Sequence, residues 1–362
     1  MTRHRSTVSD IRPSVVVAVP ARDEEDRLAA CLGALDQQTS PPNAVVLLLN
    51  NCTDASDAVA RAVTPRYDLR VVSIDLPSHE AGAGPARALA MQHAARLAGP
   101  SGILLTTDAD ATVPTDWVQR NLAALDAGAD VVCGQSVVHA IEGDQIPQHL
   151  HDDDVLERRL DALIDEMAWR LNPDPDDPPP RHTEEAGASL AVRVSAWRQA
   201  GGVPPVATGE DRAFVAALRR IDAHIRHDPD IAVVVSGRIN GRAAGGMADA
   251  IRRRIVVQDE FTDATQEPPD DALRRLALQA RCRAAWAGRS RDATLAADLG
   301  VTPDWLQQVL SRPFFGAAWG AIGAAGVLAR RHRVRFVDLP RHIARAEMLL
   351  AQIAAPGTLA AD

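Results

Sequence analysis

The sequence predicts an α/β fold, a parallel sheet flanked by helices and followed by a helical carboxy-terminal region. Short apolar runs alternate with helix-patterned segments through the first half of the chain. Those runs are continuous rather than alternating, as in strands buried on both faces. From about residue 247 onward the pattern is helical, broken near Pro268-Pro269, Pro303 and Pro340.

Residues 15–19 form the first strand, which stops at Pro20, and residues 24–35 carry leucines at helical spacing. Residues 45–49 repeat the strand pattern and end in the turn-prone Asn50-Asn51-Cys52-Thr53-Asp54, before a helix over 55–63. A third strand spans 69–74, and an alanine-rich helix spans 85–98, closed by Gly99-Pro100. The fourth strand, 103–106, delivers the chain to Asp108 and Asp110. A strand follows at 131–135 and a helix at 154–171. The segment 172–180, with its prolines and acids, is neither helix nor central strand. Order returns at 187–194, with helices at 195–200 and 211–221 and a late strand at 231–235. Residues 1–12 read as a flexible tail, 13–246 as one domain and 247–362 as the helical region.

The chain has 362 residues, a formal net charge of -9, and basic runs that are short and isolated, so nucleic acid is excluded as a partner. Its four cysteines, Cys31, Cys52, Cys133 and Cys282, form no CxxC pair, which removes zinc-knuckle and redox motifs. Apolar surroundings of Cys31 and Cys133, with no apolar signal at the amino terminus, give a cytoplasmic expectation. The uncharged run 313–329 is dominated by Gly and Ala and reads as a buried small-residue helix rather than a membrane span. Peripheral membrane contact is not expected, although this run, like a homodimer contact through the same region, stays open.

Open α/β sheets bind ligands at strand ends, and here strand ends run into polar clusters. Asp108-Ala109-Asp110 offers two carboxylates just past a buried strand, hard oxygen donors suited to a Mn2+ or Mg2+ ion on a diphosphate. An acidic turn alone gives the same tripeptide, so its weight comes from the neighbouring motifs. Residues 17–25, Val-Ala-Val-Pro-Ala-Arg-Asp-Glu-Glu, resemble the opening strand and loop of family 2 glycosyltransferases. Asn50 to Asp54, Gly84-Pro85-Ala86-Arg87, Asp108-Ala109-Asp110, Gly187-Ala188-Ser189 and Gly209-Glu210-Asp211 follow in that family's order, over roughly residues 13–245.

The resemblance implies a GT-A-like, Rossmann-related, mixed but mostly parallel sheet. It also implies transfer of a sugar from a nucleoside-diphosphate sugar to a hydroxyl acceptor, metal-assisted and by inversion, with retaining relatives on the same fold. Pro20, Ala21, Arg22, Glu24, Asn50 and Asp54 are then nucleotide-side residues, although Glu24 and Asp54 also suit helix starts. Arg87 reaches a phosphate or braces Asp108. Asp108 with Ala109 takes the sugar diphosphate, and Asp110 with Asp108 the metal. Asp211 is the general base, opening a helix far along the chain, and Glu210 orients it or holds an acceptor hydroxyl. Arg238 and Arg242, in a glycine-rich loop after the late strand, clamp the diphosphate.

Some relatives carry a histidine metal ligand in that loop, but here His227 precedes the strand, which puts a third protein ligand in doubt. His149 and His151 beside three aspartates explain themselves as solvated residues before a helix. His182, with Glu184 and Glu185, is the better acceptor-loop candidate. Two other readings remain: a catalytically silent binding protein of the same fold, and a sugar nucleotidyltransferase. The acidic, glycine-free 20–24 segment disfavours the second.

Overall fold

The computed structural model describes residues 13–77, 81–239, 241, 246–290 and 292–353. The expected tail and Arg242 lie outside them.

The elements run β1 (Val15–Ala21), α1 (Leu28–Asp36), β2 (Ala44–Asn50), α2 (Ser56–Ala62), β3 (Asp68–Ile74), α3 (Ala83–Ala98), β4 (Ile103–Thr106) and α4 (Trp117–Asp126). Then come β5 (Val131–Val138), α5 (Ala140–Gly143), α6 (Gln148–Leu171), β6 (Leu190–Arg193), α7 (Val194–Gln199), α8 (Glu210–Arg219) and β7 (Ile225–Val235). The remaining helices are α9 (Met247–Val256), α10 (Pro269–Trp286), α11 (Leu295–Leu299), α12 (Pro303–Leu310), α13 (Phe315–Gly323) and α14 (Leu339–Gln352).

The strands form one seven-stranded sheet in the order β3-β2-β1-β4-β6-β5-β7. β1, β2, β3 and β4 are parallel, β6 is antiparallel to both β4 and β5, and β5 is parallel to β7. One reversed strand therefore brings the entry to β6 to the same edge as the carboxyl ends of the other six. Alternate residues of each strand feed two cores. Val17, Leu47 and Leu105 pack with α1 and α4 on one face, and Val16, Val46 and Leu104 with α3 and α8 on the other. Both faces are covered, which explains the unbroken apolar runs.

Three elements differ from expectation. α1 begins at Leu28 because Glu24 to Arg27 form a separate turn, with the Arg27 and Leu28 N–H groups both donating to the Glu24 carbonyl. α6 starts at Gln148, so His149, His151 and the three aspartates lie inside the helix rather than before it. β7 starts at Ile225, which places His227 within the strand, paired with Cys133 in register. Gly134 breaks that register, and a Cβ on it would meet the Ile231 carbonyl oxygen at 2.7 Å.

The helices after residue 247 dock on the first half. Leu160, Leu163 and Met167 of α6 form one buried cluster with Val334, Phe336, Leu339, Ala346 and Leu349. A second cluster joins α10 to α13 around Leu278, Cys282 and Phe315. The run 313–329 divides into the nine-residue α13 and a short 3-10 turn. Among the described residues no helix is long and apolar enough to cross a membrane.

Candidate active site

Arg87, on the first turns of α3, is the hub of the sheet edge. Its side chain is buried and every nitrogen is engaged. Nη2 donates to Asp108 Oδ1 at 2.6 Å, Nε to Glu210 Oε1 at 2.9 Å, and Nη1 to Thr106 Oγ1 at 2.9 Å and the Gly187 carbonyl at 3.0 Å. The small residues around it make this approach feasible. A Cβ at Gly187 would lie 2.6 Å from the Arg87 guanidinium carbon. Burial costs this cation its hydration, but the charges of Asp108 and Glu210 outweigh that cost and push its pKa up. Of the two sequence readings of Arg87, the geometry supplies the brace, since no nitrogen is left without a partner for a phosphate.

Asp108 and Asp110 follow β4 in a tight turn, with the Ala111 N–H donating to the Asp108 carbonyl at 3.1 Å. Ala109 between them is buried. Asp108 turns to Arg87, and Asp110 Oδ2 lies 3.1 Å from Arg238 Nη2. Burial first, then the negative charges of Asp108 and Glu24, raise the Asp110 carboxyl to about 6 against the pull of Arg238. Among the described residues no third His, Cys, Asp or Glu donor closes with these two into a tight cluster. His227 is not among such donors: it lies near the start of β7, with its Nδ1 2.8 Å from Asp177 Oδ2.

Arg238, just past β7, lies beside the first loop. Its guanidinium forms a bidentate pair with Glu24, Nη1 donating to Oε2 at 2.6 Å and Nη2 to Oε1. Sequence reasoning missed what holds it there. Glu142 on α5 accepts from Ser236 Oγ at 3.0 Å and the Gly237 N–H at 2.6 Å, and Arg27 donates to Glu142 at 2.6 Å. Glu142 is separated by 94 residues from Ser236, and nothing in the sequence signals the contact.

The nucleotide-side residues are largely knitted to one another. Asp23 takes φ of 53° and its Oδ1 accepts the Thr53 N–H at 2.6 Å. Asp54 accepts the N–H groups of Glu25 and Ser56, both at 2.9 Å. Arg22 donates to the Ala81 carbonyl at 2.9 Å. Asp23, Cys52 and Asp54 bring donor atoms within 4.8 Å of one another, but both carboxylates are committed to these loop bonds. Asn50, at the end of β2, is buried with its Oδ1 unpartnered. Pro20 and Ala21 close β1 beside it in the sheet.

Asp211 opens α8 half-buried, its Oδ2 accepting the Gly187 N–H at 3.0 Å. Glu210 beside it is buried against Arg87 rather than turned outward. The 181–187 segment is held from below. His182 Nε2 lies 3.1 Å from the Cys133 carbonyl, its Nδ1 takes the Glu184 N–H at 3.0 Å, Glu184 accepts from the Ser136 N–H, and Glu185 pairs with Arg219. These acceptor-loop candidates therefore serve as internal posts. On the outer side Arg212 Nη1 donates to both carboxylate oxygens of Asp263, so the chain beyond α9 returns to the residue next to Asp211.

The family model described as glycosyl transferase family 2 matches residues 16–181 of this chain. The mixed, mostly parallel seven-stranded sheet with helices on both faces is the architecture expected of a GT-A-like fold. Several solved structures are similar to it. S. aureus TarS 1–349 in complex with UDP-GlcNAc is 16% identical, over 94% of this chain and 90% of that one, with a TM-score of 0.49. The mannosyltransferase PcManGT from Pyrobaculum calidifontis, in complex with GDP-Man and Mn2+, is 18% identical over 96% and 77%, with a TM-score of 0.45. Glucosyl-3-phosphoglycerate synthase from Mycobacterium tuberculosis, with Mn2+, UDP and phosphoglyceric acid, is 16% identical over 69% and 82%, with a TM-score of 0.39. A comparison with curated proteins finds no match.

Proposed function

We propose that this protein transfers a sugar from a nucleoside diphosphate to a hydroxyl acceptor at the edge formed by β1, β2, β4 and β6. The observation that carries this is the Arg87 hub, which joins Asp108 on the donor side to Glu210, and so to the start of α8, on the acceptor side.

The residues fit a divalent cation. Asp108 and Asp110 supply hard oxygen donors just past β4, and the guanidinium of Arg238 beside Asp110 is shared with Glu24. Mn2+ or Mg2+ held by this pair would neutralise the charge of the departing diphosphate. Ala109 lets the backbone come close to the sugar diphosphate, and Arg238 is the cation best placed to follow the phosphates. Arg242 belongs to the same loop and shares that proposed role.

On the nucleotide side, Asn50 offers an unused buried carbonyl oxygen. Glu24, Asp54 and Arg22 shape the pocket between the β1 and β2 ends more than they offer free polar atoms. Asp211 is the general base. Its half-buried carboxylate is oriented by the Gly187 N–H and removes the proton of the attacking hydroxyl on the face away from the diphosphate. Glu210 is a positioning residue acting through Arg87. An in-line attack of this kind inverts the anomeric carbon. Residues 13–246 form the catalytic unit in this account, with the helices from 247 as its support.

The test separates binding from chemistry. Titration of UDP and GDP with Mn2+ by calorimetry should show binding to wild type and to Asp211→Asn, and loss of about tenfold or more in Asp110→Asn. Equal nucleotide affinity in wild type and Asp110→Asn with Mn2+ present would overturn the metal assignment.

A further inference from the structure

Arg238 holds a position that calls for explanation. Glu24 comes from the loop after β1 and Asp110 from the turn after β4, and among the described residues this one guanidinium is the cation in direct contact with both. The Glu24 side chain is only 7% exposed, so without Arg238 a carboxylate would be left buried and unpaired. The main chain beneath Arg238 is fixed by Glu142, and a Cβ on Gly237 would lie 2.6 Å from Val138 Cγ1. Only the long side chain of Arg238 is then left to change position.

We propose that Arg238 is a resident counter-cation, whose guanidinium holds the place beside Glu24 and Asp110 until a divalent metal arrives with the sugar nucleotide. The inference rests on Asp108 and Asp110 being the metal pair. Metal alone brings no group to receive the displaced guanidinium, so displacement leaves a cation beside a cation, and uptake is weak. Metal with a diphosphate supplies oxygens to which Arg238 can turn with its bidentate fork. Metal binding is thereby coupled to donor binding by one side chain, with no movement of the backbone.

The experiment is a titration of the full chain with Mn2+ alone, followed by the paramagnetic resonance of the free ion. Wild type should bind Mn2+ weakly, and R238Q about tenfold or more tightly. R238K keeps the charge and should stay near wild type. R238Q binding Mn2+ no tighter than wild type overturns the proposal, as does R238K matching R238Q. Adding D110N to R238Q should abolish the gain, and a gain that persists would place the ion elsewhere. If R238Q fails to fold, E24Q/R238Q, which leaves no buried carboxylate unpaired at Glu24, is titrated instead with the same expectations. A wild-type titration in the presence of UDP or GDP separates the two levels. No Mn2+ uptake there defeats the metal pair itself. Uptake there, with R238Q unchanged in the absence of nucleotide, defeats only the role of Arg238.

Discussion

Gly187 has no side chain because the Arg87 guanidinium fills the space one would need. Gly187→Ala should therefore displace a buried, fully bonded cation and lower stability by about 1–3 kcal/mol, as overpacking does. A denaturant titration checks this, and an unchanged midpoint would contradict the packing described. Arg87→Met removes the cation but leaves Asp108 and Glu210 facing a pocket without charge. Loss of one partner of a buried pair costs about 3–5 kcal/mol. Arg87→Met with Glu210→Gln should recover part of that loss in the same titration. The sequence shows Arg87 only as a helix residue, as well suited to an ordinary ion pair as to a place in the site. Its partners lie 19, 21, 100 and 123 residues away, and no local pattern reports such distances. Asp108 and Asp110 were legible for the opposite reason, because a buried strand ends directly before them.

At the scale of elements, β1, β2 and β4 were legible from their apolar runs, since burial on both faces leaves almost no polar position within them, whereas the polar residues Arg226 to Asp230 hid the first half of β7. Helix starts were less so. Asp23 to Asp26 suit a helix amino terminus, yet the Asp23 and Glu25 side chains are taken up by the loop after β2 and that of Glu24 by Arg238, and α1 waits until Leu28. Likewise the segment before β6 looks irregular in sequence but is pinned through His182. Burial first, then the neighbouring His227 ring, lowers His182 from 6.5 to about 4. The folded protein thus disfavours the charged ring while the unfolded chain accepts a proton near 6.5. This contribution is intact above that pH and is lost as pH falls from about 6.5 toward 4. Thermal melts across that window should show a shallower decline for His182→Asn than for wild type. Parallel curves would mean that the ring carries no such penalty.

The whole molecule is held together by a contact that periodicity cannot reveal. The sequence marks the carboxy-terminal region as helical, but not that α10 and α14 pack on α6, because any amphipathic face satisfies the same pattern. Leu160 is fully buried where those helices meet. Leu160→Ala should cost about 2–5 kcal/mol and lower the melting of the entire chain in one transition. Two separate transitions would show that the helices from 247 fold apart from the sheet.

Sugar transfer at the Arg87-centred edge, as proposed, is read out by turnover. The full chain is incubated with Mn2+ and a panel of nucleoside-diphosphate sugars, and release of nucleoside diphosphate is measured for wild type, Asp110→Ala and Asp211→Asn. Wild type should release it from at least one donor, with a loss of about a hundredfold or more in both variants. Release that survives Asp110→Ala undiminished, or no release from any donor, would contradict sugar transfer at this edge.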